Sequence, residues 1–408
     1  MVPKGWERKT LDEISDVIDC KHRTPKYVKN GIPLVSPGTI KWGAIDLESP
    51  TKRVTAEEYE SLMDHCTVEY GDLVLSRNQS VGIASFVDSD KPFVLGQDTV
   101  LVKPKGSDPR FLFYNLQSTD TQKTIFKLAG GSTFSRINLG DIRKLKTIYP
   151  PLAEQQKIAK ILSTWDKAIS TTERLIDNST QQKKALMQQL LTGKKRLLDE
   201  LGKPFEDEWN WVNLEDICDV KGGKRLPKGS ALSEVKTFNP YIRVADMYMG
   251  GVDLSNIKYV PESVAPLIKN YTISKDDLFI TVAGTLGIVG SIPDELDGAN
   301  LTENADKLTN IKCDKTFLLY VMTSSIIQRY IDAESTQNAQ PKLALVRIRG
   351  FKVPLPKPEE QQKIATVLTN ADKEIELLEQ QLADLQQEKK ALMQVLLPGK
   401  KRVVVDGE

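Results

Sequence analysis

Short loops in the first half of this 408-residue chain concentrate side chains that donate and accept hydrogen bonds. The clearest are residues 21–24 (Lys-His-Arg-Thr), 76–80 (Ser-Arg-Asn-Gln-Ser) and 130–136 (Gly-Gly-Ser-Thr-Phe-Ser-Arg). Amide and hydroxyl groups suit the edges of DNA bases, whereas lysine and arginine also suit phosphates. Each loop is equally compatible with an ordinary solvated surface, so DNA contact is one of two open interpretations.

The second half carries comparable loops at corresponding places: residues 221–225, Arg243 with Asp246, residues 281–285 and residues 336–342. Their common placement predicts that one face of each half carries the candidate contacts. The candidate DNA contacts are Lys21, Arg23, Thr24, Arg77, Asn78, Gln79, Ser132, Thr133, Ser135, Arg136, Lys224, Arg225, Arg243, Thr281, Thr285, Gln337, Asn338, Gln340 and Lys342.

Other kinds of chemistry lack their usual residues. Two histidines and four widely separated cysteines provide little material for a zinc site or a histidine-based triad. The sequence has no GxxxxGK[ST] phosphate loop, no glycine-rich methyl-donor loop and no Asn-Pro-Pro-Tyr or Asp-Pro-Pro-Tyr tetrapeptide. We therefore expect a chain without catalytic residues, metal or bound cofactor.

The composition is that of a globular protein with room for two domains, with 40% hydrophobic residues, 27% charged residues and a net charge of +1. The small charge argues against coating nucleic acid by bulk electrostatics but allows local basic loops. The sequence shows no membrane span, no signal peptide core and no CxxC pair. These features predict a cytoplasmic protein with reduced thiols.

The chain contains a long internal repeat. Residues 154–159 (Glu-Gln-Gln-Lys-Ile-Ala) recur as residues 360–365, and Lys-Lys-Ala-Leu-Met-Gln at 183–188 recurs 206 positions later. Gly-Lys-Lys-Arg at 193–196 recurs at 399–402. A repeat of this length indicates a duplicated domain-plus-helix unit. Each globular half has short β-rich runs between Gly, Pro and Asp, and segments 111–128 and 317–332 are predicted helices.

Each repeated segment also has the 4,3 spacing of a heptad seam, sustained over about five heptads. Because both seams have the same phase, we expect the two helices to pair antiparallel within the chain; a simple spacer or a homodimeric coiled coil is the alternative. The seam residues are Ile158, Leu162, Trp165, Ile169, Ile176, Leu186, Leu190, Ile364, Leu368, Ile375, Leu378, Leu382, Leu385, Leu392 and Leu396.

Polar residues interrupt or end the seams. Lys183 and Lys389 either set the register or reach solvent. The Gly-Lys-Lys-Arg motifs either contact phosphates or, more simply, place cations at helix C-termini that end in glycine.

The predicted fold class is α+β, with two globular α/β domains separated by two long helices that form an antiparallel intramolecular coiled coil with a pseudo-twofold internal repeat. The expected divisions are a first domain at 1–150, a first helix at 151–197, a second domain at 198–355, a second helix at 356–402 and a tail at 403–408.

Two variable globular halves, or heads, each followed by a copy of the same helix, resemble the DNA-specificity subunit of a type I restriction–modification system. The resemblance covers essentially the whole chain. It is carried by Trp6 with Leu11 and Ile14, by residues 33–35, 71–77, 148–159 and 243–247, and by their repeat partners.

The resemblance implies that each head is a target-recognition domain that reads one half of a bipartite, asymmetric DNA site. It implies that the helices set a gap, expected at roughly 5–8 base pairs, and dock two methyltransferase subunits, with restriction/translocase subunits joining them. S-adenosylmethionine, ATP and Mg²⁺ are then expected on the partner subunits. The rival interpretations are a coiled-coil adaptor that binds only proteins and an enzyme with active sites in the heads.

Overall fold

The computed structural model describes residues 2–130, 136–335 and 342–405. By its internal contacts the chain divides into two compact units. Unit 1 comprises residues 1–174 and 379–408, and unit 2 comprises residues 175–378. Each unit therefore contains one head and a part of both long helices.

In its described residues, the head of unit 1 combines ten strands with five short α-helices. Their bounds are β1 Glu7–Thr10, α1 Leu11–Ile14, β2 Ser15–Asp19, β3 Ile32–Val35, β4 Gly43–Ala44, β5 Arg53–Val54, α2 Ala56–Met63, β6 Leu73–Ser76, β7 Ala84–Phe86, β8 Val94–Leu95, β9 Thr99–Pro104, α3 Pro109–Gln117, α4 Thr119–Leu128, α5 Leu139–Arg143 and β10 Lys146–Tyr149.

The long helices are α6 Leu152–Leu190 and α12 Pro358–Leu396. The head of unit 2 contains β11 Asn210–Asn213, α7 Leu214–Ile217, β12 Asp219–Gly222, β13 Pro240–Ile242, β14 Met247–Tyr248, β15 Gly251–Val252, β16 Lys258–Tyr259, α8 Ala265–Ile268, β17 Thr272–Ile273, β18 Leu278–Thr281, β19 Val289–Ser291, β20 Ala299–Leu301, β21 Ala305–Thr309, α9 Lys315–Thr323, α10 Ser325–Ser335, α11 Leu345–Arg349 and β22 Lys352–Leu355.

Sheet topology confirms the internal repeat. The order β2-β9-β6-β7 in unit 1 matches β12-β21-β18-β19 in unit 2. A second sheet, β5-β3-β8, matches β16-β13-β20, with one antiparallel and one parallel pairing in each. The predicted duplicated α+β fold is therefore present, with one copy in each unit.

The core of each unit joins the head to the long helices. In unit 1 the fully buried strand β6 and helix α3 pack with Ile158 and Leu162 of α6 and with Leu396 of α12. In unit 2 the corresponding cluster contains Leu190 of α6 and Ile364 of α12. Within each unit, the start of one long helix lies beside the end of the other, so their pairing there is antiparallel.

The long helices end earlier than the sequence predicted, at Leu190 rather than 197 and at Leu396 rather than 402. Gly193 and Gly399 both have φ of +69°, a left-handed conformation that only glycine adopts without strain. After α6, the backbone amide of Lys195 donates to the carbonyl of Gln189 at 3.1 Å, which satisfies a carbonyl at the C-terminal end of the helix.

Segments 111–128 and 317–332 were each predicted as one helix, and each is two. Ser118 caps α4 by accepting a hydrogen bond from the Thr121 amide at 3.3 Å. Its ψ of 144° is not helical, so α3 stops there. Ser324, with ψ of 164°, makes the same break between α9 and α10. Among the described residues, no helix has the length and apolar character needed to cross a bilayer.

Candidate nucleic-acid interface and helix clasps

The loop after β6 is anchored by Arg77, which is buried. Its side chain is 7% exposed, and Nη1 donates to both carboxylate oxygens of Asp19 at 2.8 Å. Its Nε donates to the carbonyl of Ile137 at 3.2 Å. Removing this guanidinium from Asp19 would leave an uncompensated charge, which is costly. Arg77 therefore builds the loop, and its predicted role as a DNA contact is not supported.

The neighbouring polar residues lie at the surface and meet one another. Gln79 is exposed with φ of +58°, and Asn78 accepts a hydrogen bond from its amide at 2.7 Å. Asn78 also pairs through the backbone with Arg136. The Arg136 guanidinium contacts Asp98 at 2.7 Å while its side chain remains 49% exposed. Asn78, Gln79 and Arg136 thus share one edge of unit 1, beside Asp98.

Lys21 and Arg23 pair with carboxylates in helix α2 and directly after it. Lys21 contacts Asp64 at 2.6 Å, and Arg23 forms a two-point ion pair with Glu58 at 2.5 and 3.1 Å. Exposed cations can exchange such a carboxylate partner for a phosphate at little cost, because surface ion pairs are weak. The side-chain amide of Gln97 donates a hydrogen bond to the Thr24 hydroxyl at 3.3 Å.

Gln97 and Asp98 were not among the predicted contacts, although the run Gly96-Gln97-Asp98 has the composition of a turn. Asp98 has φ of +62° and lies between the Arg77 and Arg136 loops, where the Arg77 amide donates to its carbonyl at 2.8 Å. The turn therefore joins residues 21–24 to residues 77–79 on the same edge.

In unit 2, the loop after β12 is held tightly. A Cβ at Gly223 would lie 2.0 Å from the carbonyl oxygen of Thr302, so only glycine fits. Lys224 and Arg225 follow and are exposed, with the Lys224 ammonium 5.5 Å from the Tyr271 ring. Arg225 contacts Glu303 at 2.5 Å and is 78% exposed. Both cations remain able to reach a ligand.

Two further predicted contacts in unit 2 have structural roles. Thr281 is fully buried, and its hydroxyl donates to the carbonyl of Thr285 at 2.6 Å. Arg243 donates to Asp246 at 2.6 and 3.0 Å and to the Asn256 carbonyl at 2.8 Å. The structure does not support DNA contact by Thr281, because its hydroxyl bonds within its own turn. The Arg243 side chain is only partly exposed, because it is held by Asp246 and the Asn256 carbonyl.

Thr285 and Lys342 are exposed. Lys342 pairs through the backbone with Ala283, which brings Lys342 beside residues 281–285. The remaining predicted contacts, Ser132, Thr133, Ser135, Gln337, Asn338 and Gln340, lie outside the described residues.

A buried carboxylate that the sequence did not single out lies near these loops. Asp306 on β21 is 5% exposed, and burial raises its pKa to about 6, with Lys342 and Arg349 opposing the rise. Asp306 pairs with Gly222, which corresponds to Asp19 of unit 1. The residue of unit 2 that corresponds to Arg77 is Val282, which follows Thr281 as Arg77 follows Ser76. Unit 2 therefore lacks the arginine that neutralises the carboxylate of unit 1.

Asp19, Cys20 and His22 bring potential metal-ligand atoms within 4.8 Å of one another. Both oxygens of Asp19 are already engaged by Arg77. Burial raises the pKa of the Cys20 thiol, which disfavours the thiolate that binds metals. The ion pair with Arg77 therefore accounts for the position of Asp19. All four cysteines of the chain are free thiols.

The seam residues of α6 and α12 are all buried or partly buried, whereas most flanking positions are exposed. Each unit holds its part of the helix pair with a contact that we call the clasp. In unit 2 the clasp consists of Arg196, Glu360 and Trp209. Glu360 is 1% exposed and accepts hydrogen bonds from Arg196 Nε and Nη2, both at 2.8 Å, and from Trp209 Nε1 at 2.9 Å.

The clasp of unit 1 consists of Arg402, Glu154 and Trp6. Arg402 Nε donates to Glu154 at 2.8 Å and its Nη2 makes a second contact with the same carboxylate. The guanidinium lies 5.6 Å from the Trp6 ring. Each Gly-Lys-Lys-Arg motif therefore binds the Glu-Gln-Gln-Lys-Ile-Ala motif of the other copy, which explains why both motifs are repeated.

The seam interruptions are also paired. Lys389 contacts Asp166, which accepts a hydrogen bond from the Tyr114 hydroxyl at 2.5 Å. In unit 2, Lys183 contacts Asp372, which accepts from the Tyr320 hydroxyl at 2.7 Å. The two lysine side chains are only 15% and 25% exposed. This geometry favours register setting, as a polar group in a seam does, over simple solvation.

Comparison with known proteins assigns these features to a family. The family model "Type I restriction modification DNA specificity domain" matches residues 3–178 and 206–387, which is most of both units. The chain belongs to this family of DNA-specificity subunits.

Similar proteins match from about three quarters to nearly all of this chain. A putative type I restriction enzyme MjaX specificity subunit of Methanocaldococcus jannaschii is 29% identical, over 98% of this chain and 95% of that protein. The MjaVIII specificity subunit of the same organism is 27% identical, over 74% and 72%. The crystal structure of a type I S subunit from M. genitalium has the same fold, with a TM-score of 0.59, 19% identity and coverage of 97% and 96%.

The chain is therefore a DNA sequence-specificity subunit, a non-catalytic component of a type I system, and the adaptor alternative is not favoured. Its two units share their sheets and clasps but differ in the loops at the corresponding edges. Asn78 and Arg136 in unit 1 correspond to Ala283 and Lys342 in unit 2.

Proposed function

We propose that this specificity subunit reads an asymmetric, bipartite DNA site, with one half-site recognised by each unit. The observation that carries the proposal is the pairing of one repeated frame with two different loop edges. Asn78, Gln79 and Arg136 lie at the edge of unit 1, whereas Lys224, Arg225 and Lys342 lie in unit 2. Amides and cations in different arrangements favour different base sequences.

We further propose that the subunit acts with methyltransferase and restriction/translocase subunits, and that those partners bind S-adenosylmethionine, ATP and Mg²⁺. The relatives are named as specificity subunits of type I restriction enzymes, which supports a multi-subunit assembly. Two equivalent clasps and helix ends support two copies of the methyltransferase.

The test is selection from a random double-stranded DNA library by the purified complex of this chain with its methyltransferase subunit. We expect two short conserved blocks of different sequence separated by a constant gap. The methyltransferase without this chain is the control and should enrich no motif. A single contiguous block, or equal enrichment by the control, would contradict the proposal.

A further inference from the structure

The loop at residues 223–239, which joins β12 to β13 in unit 2, exposes an aromatic ring. Phe238 is 97% exposed, the highest value of any large apolar side chain among the described residues, and Val235 of the same loop is 75% exposed. Single exposed apolar residues are common on protein surfaces, so exposure alone assigns no role to the ring. The anchoring and the charge of this loop give further evidence.

Hydrogen bonds fix the loop on both sides of the ring. The Thr237 hydroxyl donates to the carbonyl of Val260 at 3.0 Å and accepts a hydrogen bond from the Asn239 amide at 3.2 Å. The Val260 amide in turn donates to the carbonyl of Asn239 at 2.8 Å. Because Val260 is fully buried, both neighbours of Phe238 are tied to the head. The anchored backbone therefore holds the ring out into solvent.

The ring belongs to a part of the head that differs between the units. In both units the loop forms a backbone bridge to a neighbouring strand segment, at Val28 in unit 1 and at Ser233 in unit 2. Between that bridge and the next strand, unit 1 has Lys-Asn-Gly at 29–31, whereas unit 2 has Glu-Val-Lys-Thr-Phe-Asn at 234–239. Phe238 is the one aromatic residue in these two segments. A function of the ring is therefore expected in unit 2 and not in unit 1.

The loop is basic. Its exposed cations are Lys224, Arg225, Lys228 and Lys236. Its one acidic residue, Glu234, contacts Lys258 of β16 at 2.7 Å. The Tyr241 hydroxyl donates to the carbonyl of Lys224 at 2.9 Å, which ties the start of the loop to a residue three positions after Phe238. Since three residues of extended chain span about 10 Å, the ring and the cations can meet the same DNA duplex.

An exposed aromatic ring among cations fits DNA, because cations bind phosphates and a flat ring can stack on bases. We propose that Phe238 is a wedge that inserts between two adjacent base pairs in or beside the half-site of unit 2, while the cations of the loop contact the flanking phosphates. Insertion of an apolar side chain unstacks a base step and kinks the duplex. Pyrimidine–purine steps are the easiest to unstack, so the wedge selects such a step without a hydrogen bond to a base. The inference rests on the proposed function and adds how one half-site is read.

The test compares the wild-type chain with Phe238→Ala, each in complex with the methyltransferase subunit, on duplexes that carry the selected bipartite site. 2-Aminopurine, placed at successive positions in the half-sites and their flanks but not at target adenines, reports unstacking as a rise in fluorescence. We expect the wild-type complex to raise the fluorescence at one step in one half of the site. Phe238→Ala should lose this signal and bind about tenfold more weakly, as the loss of one stacking contact predicts.

Two further variants serve as controls in the same assay. Phe238→Trp keeps a flat apolar side chain and should keep the fluorescence signal. Leu201→Ala removes another exposed apolar side chain of unit 2, which is 82% exposed, and should behave as the wild type does.

Equal fluorescence with the wild-type chain and Phe238→Ala on every duplex would overturn the proposal. Weaker binding by Phe238→Ala with an unchanged signal would also count against insertion and leave the ring as a contact in a groove. Loss of the methyltransferase from the Phe238→Ala complex would contradict the wedge in favour of a protein interface. Failure of the proposed function is distinguishable, because the wild-type complex then selects no bipartite motif and the wedge fails with it, whereas failure of the wedge alone leaves the motif intact.

Discussion

The clasp of unit 2 provides a quantitative test of what holds the head to the long helices. Replacing Arg196 by methionine leaves the Glu360 carboxylate, whose side chain is 2% exposed, with the Trp209 indole as its one remaining side-chain donor among the described residues. Breaking a buried ion pair costs about 3–5 kcal/mol, and because Arg196 is 23% exposed we expect the lower end, about 3 kcal/mol. Local opening of the helix start should become roughly 100-fold more frequent.

Hydrogen exchange followed by mass spectrometry of the full chain measures this opening directly. Amides in the first turns of α12 and in residues 191–209 should exchange faster by that factor. Lys195→Met, an exposed neighbour in the same motif, is the control and should change exchange by less than about twofold. The double variant Arg196→Met with Glu360→Met should recover most of the loss, because an apolar pair can replace a buried ion pair.

An Arg196→Met variant whose exchange rises by less than about threefold would refute the role of the clasp, since that corresponds to under 1 kcal/mol. A double variant as unstable as the single one would refute the electrostatic reasoning instead. In that case the packing of the arginine against the Trp209 ring, 5.7 Å away, would carry the stabilisation.

Substitutions at Asp166, Asp306 and Gln79 test individual contacts. Asp166→Ala should destabilise unit 1 by about 2 kcal/mol in urea unfolding, because it removes the carboxylate partner of the largely buried Lys389 side chain; equal stability to Lys167→Ala, an exposed control, would contradict this. The pKa of Asp306 is raised from 3.8 to about 6. The protonated carboxyl therefore stabilises the folded state at low pH, and this contribution to the free energy of unfolding is lost as the pH rises through 6. Asp306→Asn should therefore stabilise unit 2 by about 2–3 kcal/mol at pH 7.5 and not at pH 4, and a gain independent of pH would be contrary evidence. Gln79→Ala should relax base preference in one half-site only, by about 1–3 kcal/mol in competition binding, whereas relaxation in both would argue against separate reading by the two units.

The fold was largely predictable because the repeat and the heptad spacing are local properties of the sequence. Ile158 and Leu162 could be placed in a seam from their spacing alone. The breaks at Ser118 and Ser324 were missed, because serine is tolerated inside helices and its capping role depends on the backbone around it. The helix ends were placed too late because the cationic motif after Gly193 continues a plausible helical composition.

The candidate site was less predictable, since residue type does not reveal whether a cation is already paired with a carboxylate of the same chain. Arg77 has the composition of a base contact but meets Asp19, which lies 58 residues away, inside the protein. The clasp was not predicted for the same reason, because Arg196 and its partner Glu360 are 164 residues apart in the sequence. Asp306 was overlooked because its environment comes from two strands and a loop that are distant in sequence.

We propose that this chain alone determines which bipartite DNA sequence its system modifies. The most direct measurement is genome-wide mapping of methylated adenine in cells that express the chain with its methyltransferase, compared with cells that lack only the chain and with reconstitution of the complex verified. We predict an asymmetric two-part motif that disappears without the chain. Methylation of the same motif in cells that lack the chain would contradict the account.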